Sequence, residues 1–417
     1  IIEAAKTLYE SHSVENITRH EADKVSTDTT IQYIIDVIQK SKANGEKSIC
    51  FVTGVPGAGK TLVGLDVAVR QTYQGNDEPV EDEGAVYLSG NGPLVAVLNE
   101  ALAQDNYKKC RDRNERKNLS DSRREVGKFI QIIHRYRDNM LAKIKNPVEN
   151  GVLEIDPAKA VEQEKAGYGE VEHVAIFDEA QRAWTRTQLA SWLKRKQNIP
   201  DFPMSEPEFL IWSLNLREDW AVIVCLVGGG QEINTGEAGI GEWIRAINTE
   251  QFKNWNVFLS NRLPEQEYAA NEVYKNTGNE SRFKLCENLH LAVSMRSFRA
   301  EQLSAFVGYL LDGNVANAHQ TFKSFRSQYP VVITRSLEKA KEWLRTHTRG
   351  TERCGLVASS QAYRLRPLAI DVRCKPDIVH WFLDNITDIR SSLFLEDAAS
   401  EFDVQGLELD WTCVVWD

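Results

Sequence analysis

The chain lacks an apolar run long enough to cross a membrane. Its longest, Ala221-Val222-Ile223-Val224-Cys225-Leu226-Val227, falls far short of the roughly 20 residues a spanning helix needs and reads as a buried strand. A basic-then-apolar leader is also missing. The opening Ile1-Ile2-Glu3-Ala4-Ala5-Lys6 has no such pattern and no methionine, so the native start is expected upstream. Seven cysteines, at 50, 110, 225, 286, 354, 374 and 413, form no C-x-x-C. That spacing excludes a zinc ribbon or a thioredoxin-like motif and predicts buried free thiols in a reducing, cytoplasmic setting. The eight histidines form no pair at metal-ligand spacing, and no zinc site is expected. Excess positive charge is absent too: the formal net charge is −10. This weighs against a simple nucleic-acid-binding module, although a motor can confine its positive charge to one channel. There is no internal repeat and no low-complexity tract. What remains, 417 residues at 42% hydrophobic and 26% charged, describes a soluble globular protein of two or three domains.

The most informative stretch present is Gly54-Val55-Pro56-Gly57-Ala58-Gly59-Lys60-Thr61. It fits G-x-x-x-x-G-K-[ST] without mismatch. An apolar, β-prone run, Ser48 to Thr53, precedes it, and a helix-like run, Leu62 to Arg70, follows it. A strand, a glycine loop and a helix make a phosphate cradle. The glycines let backbone N–H groups turn inward, and the helix N-terminus adds positive potential. Lys60 is expected to reach the β- and γ-phosphates of ATP and Thr61 to hold Mg²⁺.

Along the chain, residues 1–45 read as an N-terminal helical segment. Strand 48–53, helix 60–72, strand 84–89 and helix 93–103 then alternate, which predicts a parallel sheet covered on both faces. Lys128 to Lys145 carries Phe129, Ile132, Ile133, Tyr136, Met140 and Leu141 at helical spacing. Pro147 to Tyr168 reads as an exposed connection. Further strands are expected at 172–177, 220–227 and 255–259. After a helical stretch at 290–325 the pattern restarts, with strands at 330–334, 354–358 and 411–416 and helices at 336–346, capped by Ser336, and 361–370. The expected domains are 46–289, a connector at 290–329, and 330–417.

Phe177-Asp178-Glu179-Ala180-Gln181 ends the strand at 172–177. An apolar strand closing on Asp-Glu suits the metal site of a P-loop NTPase. Asp178 is expected to hold Mg²⁺ and Glu179 to act as general base on the attacking water. Gln181 is placed to sense the γ-phosphate or that water. Gly228-Gly229-Gly230-Gln231 follows the next strand, where Gln231 can bridge the γ-phosphate to a moving neighbour or be a polar turn tip. Arg296, in Ser294-Met295-Arg296-Ser297-Phe298, can reach the γ-phosphate or pair with Glu301. Gly406 and Glu408, in Gln405-Gly406-Leu407-Glu408, form either a tight turn able to hold an arginine or a ribose, or a plain polar loop. From Lys108 to Arg124, eight cations stand against three anions, as a solvated helical face or as a nucleic-acid contact. Trp184, Trp192, Trp212 and Trp243 are core residues or stacking platforms. Gln32 is an ordinary helix residue or an adenine reader.

Together these pieces resemble a superfamily 1 helicase: motif I at Gly54–Thr61, motif II at Asp178–Gln181, motif III at Gly228–Gln231, motif IV at Met295–Ser297 and motif V at Val404–Glu408. The wording Phe202-Pro203-Met204-Ser205-Glu206-Pro207-Glu208-Phe209-Leu210 and Gly229 to Gly239 is similar to a narrower group, the bacterial Schlafen-like, DNA/RNA helicase domain family. The resemblance implies an α/β protein of two RecA-like parallel-sheet domains with ATP between them. Two departures stand out. A glycine replaces the usual motif III aspartate, and the run that carries motif VI and its arginine finger does not follow motif V. The second domain is therefore expected to be incomplete and hydrolysis weak, by on the order of 10³-fold or more.

The leading expectation is an ATP-driven translocase or helicase on single-stranded DNA or RNA, with Ser89-Gly90-Asn91 and Ser359-Ser360 as strand contacts. The rival is an NTPase switch that controls a partner protein such as a nuclease. No membrane association is expected in either case.

Overall fold

A computed structural model describes residues 21–54, 57–74, 78–79, 84–114, 116–145, 151–165, 172–228, 237, 239–263, 281–291, 297–327 and 329–416. In chain order the elements are α1 (Glu21–Asn44), β1 (Lys47–Gly54), α2 (Lys60–Thr72), the short hairpin β2 (Tyr73–Gln74) and β3 (Glu78–Pro79), β4 (Ala85–Ser89), α3 (Gly92–Asp112), α4 (Leu119–Phe129), β5 (Ile130–Ile132), α5 (Ile133–Leu141) and α6 (Pro157–Lys165). Then come β6 (Val174–Asp178), α7 (Arg186–Lys196), α8 (Glu206–Asn215), β7 (Ala221–Gly228), α9 (Gly239–Ile247), β8 (Trp255–Ser260), β9 (Phe283–Cys286) and β10 (His290–Leu291). The last are α10 (Ser297–Leu311), α11 (Val315–Phe325), α12 (Leu337–His347), β11 (Cys354–Ala358), α13 (Ile378–Leu383), β12 (Ala398–Ser400) and β13 (Trp411–Val415).

The chain forms two compact units, one from residues within 3–90 and 124–295, the other from residues within 91–123 and 296–417. The first is built on a sheet ordered β5-β4-β6-β7-β1-β8-β9, with β10 also pairing β1. Every pairing in it is parallel. The strand ends therefore gather by type, and all carboxyl ends share one edge. Strands buried on both faces need continuous apolar sequence, and β1, β4, β6 and β7 have it. Phe51, Leu88, Phe177 and Cys225 face a core closed by residues of α5, α8 and α9, among them Tyr136, Phe209 and Trp243. Helix α2 covers the other face, where Gly64 lies against Leu226, Ile176 and Tyr87. The architecture is the expected α/β fold of RecA-like type.

In the other unit, β12-β11-β13 form a parallel sheet. Leu344 packs with Leu356 and Ala358 beneath it. Trp381 and Phe382 of α13 pack with Val97 of α3, and α10 and α11 share a small core of Phe306, Ala318 and Phe325.

Five local expectations need correction. The span 128–145 is not one helix: Ile130–Ile132 pairs with β4, Tyr87 opposite Ile130. Two β-branched residues in alternation took the open sheet edge over helical continuation. The connection at 147–168 contains α6. Pro330–Thr334 forms no strand, and Val332 and Ile333 stand exposed. The three-stranded sheet β12-β11-β13 takes no pairing from this segment. Residues 361–370 give only a 3₁₀ turn at Tyr363–Leu368, because Pro367 cannot donate to an α-helical ladder and its ring clashes with the preceding turn. Among the cysteines, Cys374 is exposed rather than buried.

Close approach also fixes β11. A Cβ added at Gly355 would stand 2.8 Å from Cζ2 of Trp381, whose ring is fully buried. Gly355→Ala should cost roughly 1–3 kcal/mol by overpacking, read as a lower urea midpoint with the slope unchanged.

Candidate functional site

The parallel order sets β6 one strand away from β1, with β7 between them. The loop after β1 and the end of β6 therefore share one edge of the sheet. Gly54 closes β1 against β10, where an added Cβ would meet Leu291 Cβ at 2.9 Å. Gly57 and Gly59 take φ of 79° and 87°, values that favour glycine. Ala58 between them is buried. Lys60 and Thr61 open α2. The Lys60 Nζ donates to Gly54 O at 2.8 Å, so the ammonium folds back across its own loop. Val55 and Pro56 lie outside the described residues, as do Gln231 and Arg296.

Thr61 and Asp178 meet. The Thr61 hydroxyl donates to Oδ2 of Asp178 at 3.1 Å. The same oxygen accepts from the Tyr87 hydroxyl at 2.6 Å, and Oδ1 accepts from the Glu179 N–H at 3.1 Å. Asp178 is buried. Burial, reinforced by the charge of Glu179, pushes its carboxyl up to about 6 against the hydroxyl bonds and Lys60, which act the other way. Burial, then the Asp178 charge, lifts the Tyr87 phenol well above its usual range.

Glu179 sits at φ 54°, ψ 44°, left-handed backbone that a residue with a Cβ rarely adopts. That conformation turns the chain abruptly off β6 into the 3₁₀ turn Ala180–Arg182. Gln181 then spans two elements: its Nε2 donates to Glu179 Oε2 at 2.5 Å, and its Oε1 accepts from the N–H of Gly228, the last residue of β7, at 3.1 Å. The indole of Trp243 donates to Ala180 O at 2.8 Å.

A buried ion pair fixes the chain just beyond. Arg137 of α5 donates to Glu206 Oε1 at 2.9 Å, with both side chains almost fully buried. Glu206 Oε2 accepts from the Trp184 N–H at 2.9 Å, and the Glu206 N–H donates to Trp184 O at 3.0 Å. The guanidinium also lies 4.9 Å from the Trp184 ring and 4.3 Å from that of Trp192. Trp184 and Trp192 thus flank a buried cation, while Trp212 and Trp243 are core residues. Sequence reasoning gave no role to Tyr87, Arg137 or Glu206. All three lie in ordinary amphipathic or apolar surroundings, and only the fold brings them to the segment around Asp178.

The remaining expectations fall elsewhere. Gln32 bonds Asp36 along α1. Gly406, at φ 77°, belongs to the other unit. There the Asn91 side chain caps α3 and donates to Gln405 O at 2.7 Å, and Glu408 is exposed on the same turn. Ser360 gives its N–H and hydroxyl to Glu401. In the basic run, Lys109 pairs with Asp105 and Arg123 with Glu100. His380, Asp384 and Asp388 gather closely enough to hold a cation, but Arg390 already pairs with both carboxylates. No helix among the described residues is long and apolar enough to cross a membrane.

The family model described as Schlafen group 3, DNA/RNA helicase domain, matches residues 47–417, and the chain belongs to that family. No curated protein and no solved structure matches. Membership agrees with the resemblance read from the motifs and gives the chain a helicase-like, nucleic-acid-related function at family level.

Two outcomes are expected of the ligand-free chain. A carboxyl raised in the folded state holds a proton that the unfolded chain releases near its usual 3.8. Its contribution to stability therefore falls as pH rises from about 4 to about 6 and is flat above. Asp178→Asn should remove this pH dependence, read in urea melts at a series of pH values. Glu206→Ala should cost about 3–5 kcal/mol by stranding the buried Arg137 cation, whereas replacing both partners with apolar residues of similar volume should recover most of the loss.

Proposed function

We propose that this helicase-domain chain binds and hydrolyses ATP and uses the cycle to move along single-stranded DNA or RNA. The observation that supports this reading best is the hydroxyl–carboxylate contact between Thr61 and Asp178, directly beside a loop with left-handed backbone at Gly57 and Gly59. Such a loop turns main-chain N–H groups toward an anion. The residues Gly54 to Gly59 and Lys60 would take the phosphates. A hydroxyl and a carboxylate at hydrogen-bond distance are a donor set suited to Mg²⁺, a hard cation that prefers oxygen. Thr61 and Asp178 would hold it, and when bound it would neutralise charge on the phosphate oxygens.

Glu179 would take a proton from the attacking water, with Gln181 orienting its carboxylate. Gln231 would serve the γ-phosphate. A second reading, an ATP-driven switch acting on a protein partner such as a nuclease, is favoured by the net charge of −10.

ATPase assays with and without single-stranded DNA and RNA separate the two. The motor predicts several-fold stimulation that fades with salt, and the switch predicts none. Glu179→Gln should lower turnover by about 10²-fold or more while ATP binding persists. Unchanged turnover would remove Glu179 as the base, and failure of the wild-type chain to bind ATP would remove the whole reading.

A further inference from the structure

Tyr87 is a fully buried tyrosine in the middle strand of three, β5-β4-β6. In the parallel register it stands beside Ile176, two residues before Asp178. Its hydroxyl reaches that carboxylate at 2.6 Å, the shortest of the three hydrogen bonds on Asp178. Its ring lies against α2 at Gly64, where an added Cβ would stand 3.0 Å from Tyr87 Cε2 and 2.7 Å from Leu226 Cδ1. Glycine at 64, one turn after Lys60, keeps that space open. A carboxylate is free to rotate about its last torsion. Here Oδ1 is held by the next residue's N–H and Oδ2 by a hydroxyl carried on a fully buried ring.

We propose that Tyr87 is a positioning residue for the divalent-cation site, its hydroxyl fixing the plane of the Asp178 carboxylate and Gly64 making room for its ring. This rests on the nucleotide-binding reading above. Partners that orient a metal ligand in this way typically change metal affinity 10–100-fold when removed. A tyrosine that merely satisfies its hydroxyl in the core has no such effect.

The test uses the full chain and a fluorescent ATP analogue, titrated with MgCl₂ and also measured in EDTA. For Tyr87→Phe, affinity in EDTA should stay within about twofold of wild type, while the Mg²⁺ concentration at half-effect rises about tenfold. Gly64→Ala, which keeps the hydroxyl but pushes its ring out of position, should shift the Mg²⁺ midpoint in the same direction. An unchanged midpoint in Tyr87→Phe overturns the proposal. Equal losses with and without Mg²⁺ also overturn it, by assigning Tyr87 to packing alone. Should the wild-type chain bind the analogue with no response to Mg²⁺, the cation site falls and this role with it. Should it bind no analogue at all, the nucleotide reading fails first.

Discussion

One carboxylate joins the two segments on which the site depends. Asp178 closes β6, Thr61 opens α2, and their contact at 3.1 Å exists because both strands leading to them run the same way through one sheet. Reversing either strand would send its loop to the opposite edge. The parallel sheet is thus more than a scaffold, because it sets which loop ends can meet. Its cost is a demand for apolar sequence on both faces, met by runs such as Ala221–Val227.

Burial gives this carboxylate its character. In water an aspartate needs no partner, but buried it must be hydrogen-bonded or protonated. Asp178 has three donors and still sits near 6. Its surroundings leave it short of compensating positive charge, which the proposed Mg²⁺ would supply. The Lys60 ammonium, bonded to Gly54 O, offsets the deficit only in part. The nearby Arg137–Glu206 pair solves the same problem by a different route. There each buried charge has its opposite, and the spare carboxylate oxygen is used to anchor the backbone of Trp184.

Much of the first unit was legible in the sequence. Apolar runs of strand length bounded by glycine or acidic residues located β1, β4, β6 and β7, and the Gly54–Thr61 pattern located the loop. The errors fell where local signal and tertiary opportunity disagreed. Ile130–Ile132 carries helical spacing and reads as helix, and only the open edge of β4 drew it into a strand. Pro330–Thr334 has strand composition, yet it pairs with none of β12, β11 and β13. Long-range contacts left even less trace. Nothing near Tyr87 signals a bond to a residue 91 positions away, and nothing near Glu206 signals one to Arg137. The order of the motifs was readable from the chain, whereas the side chains that brace them were not.

Gln181 illustrates what such bracing does. The sequence placed it near a phosphate or a water, but its amide is occupied at both ends. The nitrogen holds Glu179, and the oxygen holds the N–H of Gly228 at the mouth of the glycine run. An amide side chain is planar and short, so it cannot keep both bonds if its two anchors separate by more than a fraction of an ångström. Any movement that draws residue 228 away from β6 must release Glu179 or pull it along. Glu179 already stands in left-handed backbone, a conformation that surrounding structure has to hold in place. The orientation of that carboxylate is therefore tied through one side chain to the end of β7.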